Sequence, residues 1–180
     1  TGKKIAAIIV VHVWGNAVDL EKLISLCKKR NISIIEDAAQ SFGTKYTKGK
    51  LKNKFTGTIG KLGCLSFNGN KTLTAGGGGM IVTNDKKLAE KAKHITTTAK
   101  RDSLYYFHDE IGYNYRLVNI LAAIGLGQME NFEKILKRKK EITILYKDEL
   151  KNIGDIIFQE KNVKSNPNDW LFTFRTKKMK

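Results

Sequence analysis

Residues 5–37 read IAAIIVVHVWGNAVDLEKLISLCKKRNISIIED. The stretch opens with a nearly continuous apolar run from Ile5 to Val13, which is typical of a strand covered on both faces in a parallel sheet. Asp19 is a candidate N-cap, and apolar residues then recur at helical spacing up to the basic end Lys28-Lys29-Arg30. A second buried strand follows and ends in Glu36-Asp37. Strand, helix and strand within about thirty residues predict a parallel βαβ unit.

The same alternation continues beyond this unit. Two further short strands are predicted at Cys64–Phe67 and Met80–Thr83. Asn84 or Asp85 is a candidate N-cap for the helix after the fourth strand, whose apolar positions are Leu88, Ala92 and Ile95. The pattern as a whole predicts an α/β fold with a mainly parallel sheet and flanking helices.

Three other segments differ in composition from these elements. Residues 45–61 are rich in Gly, Lys and Thr and predict a surface loop. Small apolar residues from 117 to 129 precede a strongly charged helix that extends to about Leu150. After this helix the chain carries a short apolar stretch, residues 170–174, which predicts the opening of another element.

Composition bounds the class of protein. The chain has 180 residues, 41% of them hydrophobic, and so can bury one core of its own. Cys27 and Cys64 show no metal-ligand spacing, and we interpret them as buried, reduced thiols of a cytoplasmic protein. The longest apolar run is too short to cross a bilayer, so no membrane partner is expected.

The net charge of +16 leaves two interpretations open. A basic face can bind nucleic acid, and such binding is strongly salt-dependent. The basic residues are scattered along the chain, however, and aromatic residues do not alternate with them as a base-stacking surface would require. A solvated, lysine-rich surface is the favoured interpretation, and phosphorylated small molecules are compatible with it.

Three polar residues together indicate a candidate catalytic site. Open α/β sheets bind ligands at the carboxyl ends of their strands, where Asp37 closes the second strand and Ser66 lies in the third. Lys71 follows in the loop that leads to Gly76–Gly79. A carboxylate, a hydroxyl and an amine at one edge are the groups that a pyridoxal phosphate site requires: the amine forms an imine with the aldehyde and the carboxylate pairs with the pyridine nitrogen.

Each of these residues taken alone has an ordinary structural explanation. An Asp after a strand is commonly a turn residue, a lone Lys is usually solvated, and four glycines often form a flexible turn. A phosphate-loop interpretation fails on spacing, because five residues separate Gly63 from Gly69 and Asn70 precedes Lys71.

The order of several motifs decides between these explanations. The segments are EDAAQSFG at 36–43, GTIG at 57–60, SFNGNK at 66–71, the glycine run continuing into MIVTND at 80–85, and HDEIGYNYRL at 108–117. Together they closely resemble the DegT/DnrJ/EryC1/StrS family of pyridoxal-phosphate-dependent nucleotide-sugar aminotransferases. The resemblance covers roughly residues 5–150 and implies the large domain of fold type I transferases.

The resemblance also implies roles for the residues at the sheet edge. Lys71 becomes the catalytic lysine that holds pyridoxal phosphate as a Schiff base and moves a proton. Asp37 becomes the partner of the pyridine nitrogen, and Ala39 packs against a ring face. Gln40 is implied beside the ring's phenolic oxygen, and Ser66 is implied to bind the phosphate.

The motif at 108–117 implies a second set of roles. Asn114 is implied to reach the phosphate in the neighbouring subunit's site, which predicts a homodimer with shared active sites. His108, Tyr115 and Arg116 are expected to border the sugar-nucleotide pocket, although a structural loop histidine is an equally good explanation of His108. No metal is expected.

The implied reaction transfers an amino group, with glutamate as the expected donor, to a nucleotide-linked 4-keto-6-deoxy sugar in surface-polysaccharide biosynthesis. The sequences of residues 66–71, 96–100 and 108–112 are most similar to those of the LegC-type subgroup, whose substrates are UDP-linked N-acetylhexosamines. The alternatives are an inactive fragment that acts as an interaction module and a basic nucleic-acid-binding protein.

Domain organisation follows from the same resemblance. Residues 1–130 are expected to form a partial cofactor-binding domain, and residues 131–180 a connecting helix and the start of a small C-terminal domain. Because family members are considerably longer, we expect the chain to be a fragment with an unpaired sheet edge, poor stability and weak activity.

Overall fold

The computed structural model describes residues 2–102 and 104–177. In chain order, the strands and helices of these residues are β1 (Ala7–Val11), α1 (Leu20–Arg30), β2 (Ser33–Asp37), β3 (Lys45–Tyr46), β4 (Leu62–Ser66), β5 (Gly79–Val82), α2 (Lys86–Thr96), α3 (Asn119–Glu130), α4 (Phe132–Leu150), β6 (Ile157–Phe158), β7 (Ser165–Asn166) and β8 (Phe174–Arg175). A short 3-10 turn at Val13–Gly15 follows β1.

A four-stranded sheet in the order β1-β2-β4-β5 forms the centre of the fold. Strands β1, β2 and β4 are parallel, and β5 pairs antiparallel with β4. The βαβ unit and the mainly parallel sheet predicted from the sequence are therefore confirmed. The antiparallel fourth strand follows from its short connection, because only twelve residues separate β4 from β5 and no crossover helix lies between them.

Only one face of β1 is buried, so the prediction that both of its faces are covered was wrong. Val10 packs with Leu20, Cys27 and Ile34 in the core beneath α1, whereas Ile9 on the opposite face is 66% exposed. A continuous apolar run indicates that a strand is suited to burial, but it does not tell which faces the chain itself covers.

Both predicted helix starts fall at the observed positions, but only one side chain acts as a cap. Asp85 accepts hydrogen bonds from the backbone N–H groups of Lys87 and Leu88, at 3.0 and 3.2 Å. Asp19 occupies the N-cap position of α1 without a side-chain capping bond, and its carboxylate lies 3.6 Å from the amine of Lys164. Asp19 therefore pairs with Lys164 instead of capping α1 through its side chain.

The segment 45–61 is more structured than a surface loop, which corrects the prediction. Strand β3 within it pairs antiparallel with β7, and Tyr46 is only 2% exposed. The Tyr46 hydroxyl donates a 2.6 Å hydrogen bond to the carbonyl of Val18, and burial of the ring, followed by nearby carboxylates, raises its pKa well above the ordinary value. Tyr46 thereby fastens this segment to the start of α1.

Replacing Tyr46 by Phe removes this hydroxyl and leaves the Val18 carbonyl without that donor. We expect the free energy of unfolding to fall by about 1–2 kcal/mol, measured by denaturant titration. The matched change Tyr105→Phe, at a side chain that is 70% exposed, is expected to have no measurable effect. Equal effects of the two changes would contradict the anchoring role of Tyr46.

The charged helix predicted to extend to about Leu150 is confirmed as α4, and its first residue, Phe132, packs against Phe67 and Leu73 of the second core cluster. The division of the chain at residue 130 stays a prediction. A search of the described residues for a helix long and apolar enough to cross a membrane found none.

Candidate active site

Pairing in the sheet places the predicted cofactor residues on one face. Asp37 in β2 lies opposite Cys64 in β4, and Ser66 is two residues beyond Cys64. Because side chains two residues apart in a strand point to the same face, Asp37, Cys64 and Ser66 share a side of the sheet. This is also the side on which β1 is exposed, since Val11 pairs with Asp37. The carboxyl ends of β2 and β4 thus meet on an open face.

The Asp37 carboxylate is held at this edge by a hydrogen bond, and its charge affects the pKa of Cys64. Its Oδ1 accepts a 3.0 Å hydrogen bond from the backbone N–H of Ala39, directly after the strand. Partial burial of the Cys64 thiol, and then the negative charge of Asp37, raise the pKa of Cys64. The residue Cys64 as a whole is nevertheless exposed, so the prediction of two buried cysteines holds for Cys27 and was wrong for Cys64.

Lys71 lies in a turn directly after β4. Its backbone N–H donates to the carbonyl of Asn68 at 3.0 Å, and the N–H of Asn68 in turn points at the Ser66 hydroxyl at 3.4 Å. This turn brings the amine-bearing residue back towards the strand end that carries Ser66. The half-buried Lys71 amine lies 4.2 Å from the ring centroid of Trp170.

Gln40 lies half-buried in the loop after β2. Its Oε1 accepts a 2.6 Å hydrogen bond from the backbone N–H of Trp14, a residue in the left-handed region with φ of 53°. Because the side-chain oxygen of Gln40 already accepts this bond, its Nε2 group is the part of the side chain that can donate to a ligand oxygen.

The four residues predicted from the motif at 108–117 lie in the segment between α2 and α3. The backbone of the hairpin that follows α2 pairs Thr97 with Asn114 and Lys100 with His108, and the His108 ring lies 2.7 Å from the carbonyl of Thr98. Tyr115 stacks on Tyr113 with ring centroids 5.3 Å apart.

Two of these hairpin residues line an open cavity. Tyr115 and Arg116 border a volume of about 1010 Å³ beside β5, together with Met80 and Leu117. This volume is large enough for a nucleotide-sized ligand. The contact of His108 with the Thr98 carbonyl is a structural one, and its binding role stays a prediction.

The residues at the sheet edge fit pyridoxal phosphate by their chemistry. An amine is available for the aldehyde, a carboxylate for the pyridine nitrogen, and a hydroxyl for the phosphate. Their positions at the ends of two adjacent parallel strands are those at which open sheets bind ligands.

A comparison with known protein families matches all of residues 1–180 to the DegT/DnrJ/EryC1/StrS aminotransferases. The chain belongs to this family. The family resemblance stated from the motifs is therefore confirmed. The LegC-type assignment stays a prediction.

The curated relatives that match this chain are longer than it is. GDP-perosamine synthase of Escherichia coli O157:H7 is 43% identical over 160 residues, which are 89% of this chain and 43% of the relative. The putative pyridoxal phosphate-dependent aminotransferase EpsN of Bacillus subtilis (strain 168) is 39% identical over 167 residues, covering 93% of this chain and 42% of EpsN. The chain thus spans less than half the length of these curated relatives.

A crystal structure of a DegT DnrJ EryC1 StrS aminotransferase from Brucella abortus has a TM-score of 0.83 and 27% identity, over 96% of this chain and 44% of that one. This likeness confirms the α/β, fold type I architecture predicted for the chain.

A buried hydrogen bond between a histidine and a carboxylate next to the site of this DegT-family chain was missed by the sequence analysis. His12 and Glu36 are both fully buried, and His12 Nε2 lies 3.0 Å from Glu36 Oε2. The Glu36 carboxylate also accepts the backbone N–H groups of Gly57, Ile59 and Gly60 at 2.8, 2.6 and 2.5 Å. A charged residue within a buried strand was the available signal, because such a residue needs a partner.

The electrostatics of this pair follow from its donors. Burial alone would raise the pKa of Glu36, but hydrogen bonds from His12 and from three backbone N–H groups outweigh it and hold the pKa below its ordinary value of 4.5. The Nδ1 atom of His12 accepts from the backbone N–H of Val18 at 3.2 Å, so the ring donates to Glu36 through Nε2. Glu36 directly precedes Asp37, and the network fixes the strand end that carries Asp37.

One cluster of metal-ligand side chains occurs among the described residues, away from this site. His94, Asp109 and Glu110 offer ligand atoms within 4.8 Å of one another. Each is engaged already, because His94 bonds Asp109 at 2.6 Å and the Lys91 amine bonds both oxygens of Glu110. The cluster is explained as an ion-pair network that joins α2 to the hairpin.

Proposed function

We propose that this chain carries the cofactor site of a pyridoxal-phosphate-dependent aminotransferase that acts on a nucleotide-linked 4-keto-6-deoxy sugar. The observation that supports the proposal is that Asp37 and Ser66 share one face at the carboxyl ends of two adjacent parallel strands, with Lys71 in the turn that follows the second strand. Family membership supports the same reaction class. The activity belongs to amino-sugar and surface-polysaccharide biosynthesis.

Each residue has a separate task in this proposal. Bound pyridoxal phosphate supplies the aldehyde and an electron-withdrawing ring. The Lys71 amine binds the aldehyde and, when released, holds and moves a proton at its Nζ atom. Asp37 orients the pyridine nitrogen and keeps it protonated, and the Ser66 hydroxyl donates to the phosphate.

The loop after β2 contributes the remaining cofactor contacts. Ala39, whose backbone N–H is tied to Asp37, packs against one face of the ring. Gln40 donates through Nε2 to the phenolic oxygen, because its Oε1 already accepts from Trp14.

The sugar nucleotide is the acceptor, with glutamate as the amino donor. The name GDP-perosamine synthase, carried by a 43% identical relative, supports a nucleotide-linked sugar. We assign Tyr115 and Arg116 to the nucleotide-sugar pocket because they line the cavity beside β5, and His108 to its border. The guanidinium of Arg116 is suited to a diphosphate.

Two copies of the chain are proposed to share their sites in a cytoplasmic homodimer. Asn114 is exposed on the hairpin, from which it reaches the phosphate of the partner's site. Neighbouring aromatic side chains are highly exposed, with Tyr105 at 70% and Tyr106 at 86%, and exposed aromatic clusters are typical of protein interfaces.

Incubation of the chain with pyridoxal phosphate, glutamate and a 4-keto-6-deoxy sugar nucleotide tests the proposal. We expect a yellow imine band that disappears when glutamate is added, and a 4-amino sugar nucleotide detected by mass spectrometry. GDP-linked and UDP-linked acceptors run in parallel identify the nucleotide. An imine band without amino transfer to either acceptor would refute the substrate class, and absence of the band would refute the cofactor site.

A further inference from the structure

A short segment near the C-terminal end packs onto the turn that carries Lys71. Asn168 and Trp170 are buried, at 2% and 7% exposure, although they are separated from Lys71 by about one hundred residues of chain. Both side chains are polar at one end, and polar groups this deeply buried need partners. Their partners lie on both sides of Lys71.

Asn168 joins the two loops that carry the predicted cofactor residues. Its side-chain NH₂ group lies 3.1 Å from the carbonyl of Gln40, 2.9 Å from that of Phe42 and 3.3 Å from the hydroxyl of Thr72, the residue after Lys71. Its Oδ1 accepts the backbone N–H of Trp170 at 3.0 Å. One amide therefore sets the spacing between the loop after β2 and the turn after β4.

Trp170 is fixed at both of its ends. The indole Nε1 donates a 2.6 Å hydrogen bond to the carbonyl of Asn70, and the backbone carbonyl of Trp170 accepts from the Lys139 amine at 3.2 Å. These bonds turn the face of the ring towards the Lys71 amine, 4.2 Å from the ring centroid. A cation within about 6 Å of an indole face is attracted by the electron density of the ring.

We propose that Trp170 is a positioning residue for the reactive amine: its indole face holds the Lys71 ammonium at the sheet edge whenever that amine is not bonded to the cofactor. This inference rests on the proposed role of Lys71. An amine that is released during each turnover needs a resting position from which it can return, and four single bonds give an unheld lysine many others. The same contact hinders reagents that attack the free amine.

The test measures reactivity of the Lys71 amine in the cofactor-free chain by competitive acetylation and peptide mass spectrometry. Exposed Lys61 in the same sample is the internal reference. Trp170→Phe and Trp170→Leu both remove the indole N–H, but only Phe keeps an aromatic face. We expect Trp170→Leu to raise the relative reactivity of Lys71 by about five- to thirtyfold, and Trp170→Phe to stay within about twofold of the parent chain.

The rate at which the imine band forms on adding pyridoxal phosphate gives a second measurement on the same variants. An unheld lysine samples more positions, so we expect slower imine formation in Trp170→Leu and recovery in Trp170→Phe. Equal behaviour of the two variants in both measurements would show a packing role only and would overturn the inference. A parent chain that forms no imine with Lys71 refutes the cofactor site, whereas the acetylation result judges the Trp170 contact separately.

A third measurement avoids the risk that Trp170→Leu does not fold. Growth with fluorinated tryptophans of increasing fluorine content withdraws electron density from the ring without a large change of shape. The chain has two tryptophans, and only Trp170 has its ring against the amine of Lys71. We expect acetylation of Lys71, relative to Lys61, to rise stepwise with fluorine content, and no dependence on fluorine would overturn the inference.

Discussion

Replacing Glu36 by Ala is expected to lower the free energy of unfolding by about 3–5 kcal/mol, because each buried donor left without its acceptor costs about 1–3 kcal/mol and this change leaves several. The change leaves the buried His12 ring and three backbone N–H groups without their common acceptor. Since small domains are stable by only about 5–15 kcal/mol, a large part of the chain's stability depends on this carboxylate. Denaturant titration followed by circular dichroism measures the effect.

Glu90→Ala is the matched control, because the Glu90 side chain is exposed and pairs with exposed Lys86 on α2. It is expected to change the unfolding free energy by less than about 0.5 kcal/mol. If the Glu36→Ala chain were as stable as the Glu90→Ala chain, the prediction would be wrong. Water or a rearranged loop would then satisfy the donors that Glu36 accepts in the parent chain.

The pH dependence of stability gives an independent measure of the same carboxylate. Because the pKa of Glu36 is lowered by folding, its contribution is fully present above the unfolded value of 4.5 and is lost as pH falls through the folded value. We expect the parent chain to lose stability on acidification below about pH 4.5, and Glu36→Gln to lose less over the same range. Parallel acid profiles for the two chains would contradict the network.

Replacing Lys71 by Ala is expected to abolish the imine band and to lower the rate of amino transfer by about 10²–10⁴-fold, the range for removal of a group that moves a proton. Borohydride reduction of the parent chain with pyridoxal phosphate should fix the cofactor mass on the peptide that contains Lys71. The Lys71→Ala chain should carry no such label at that peptide. Absorbance, peptide mass spectrometry and the product assay measure these effects.

Lys61→Ala provides the control for nonspecific reaction with lysines. Lys61 is exposed and lies at the amino end of β4, whereas Lys71 follows the carboxyl end. This variant should keep the imine band and the rate. Labelling of many lysines with similar yield, or retention of the band in Lys71→Ala, would rule out Lys71 as the cofactor lysine.

The edge of the sheet could be predicted from the sequence because local patterns encode it. Asp37 and Ser66 each end an apolar stretch, and parallel strands bring such ends together. The exposure of Cys64 could not be predicted, since it depends on the pairing register that puts Cys64 on the face of Asp37. The uncovered face of β1 has a similar reason: the apolar run is the same whether or not another element packs there.

The contacts missed by the sequence analysis join residues that are far apart in the chain. Glu36 could be recognised as unusual in a buried strand, but its backbone donors lie in a loop more than twenty residues away. The indole of Trp170 meets the Lys71 turn across about one hundred residues, and no periodic pattern connects the two. Predicting such pairs requires the tertiary arrangement itself.

The hydrogen bonds of Asn168 to residues 40, 42 and 72 also determine when the turn that carries Lys71 can reach its final conformation during synthesis. The strands around Asp37 are synthesised well before Asn168, so the bridging amide joins elements that have already begun to form. Contacts of such long sequence separation form late and slowly. Chains that stop before residue 168 lack this bridge, so we expect the turn that carries Lys71 to reach its final position only after Asn168 has been synthesised.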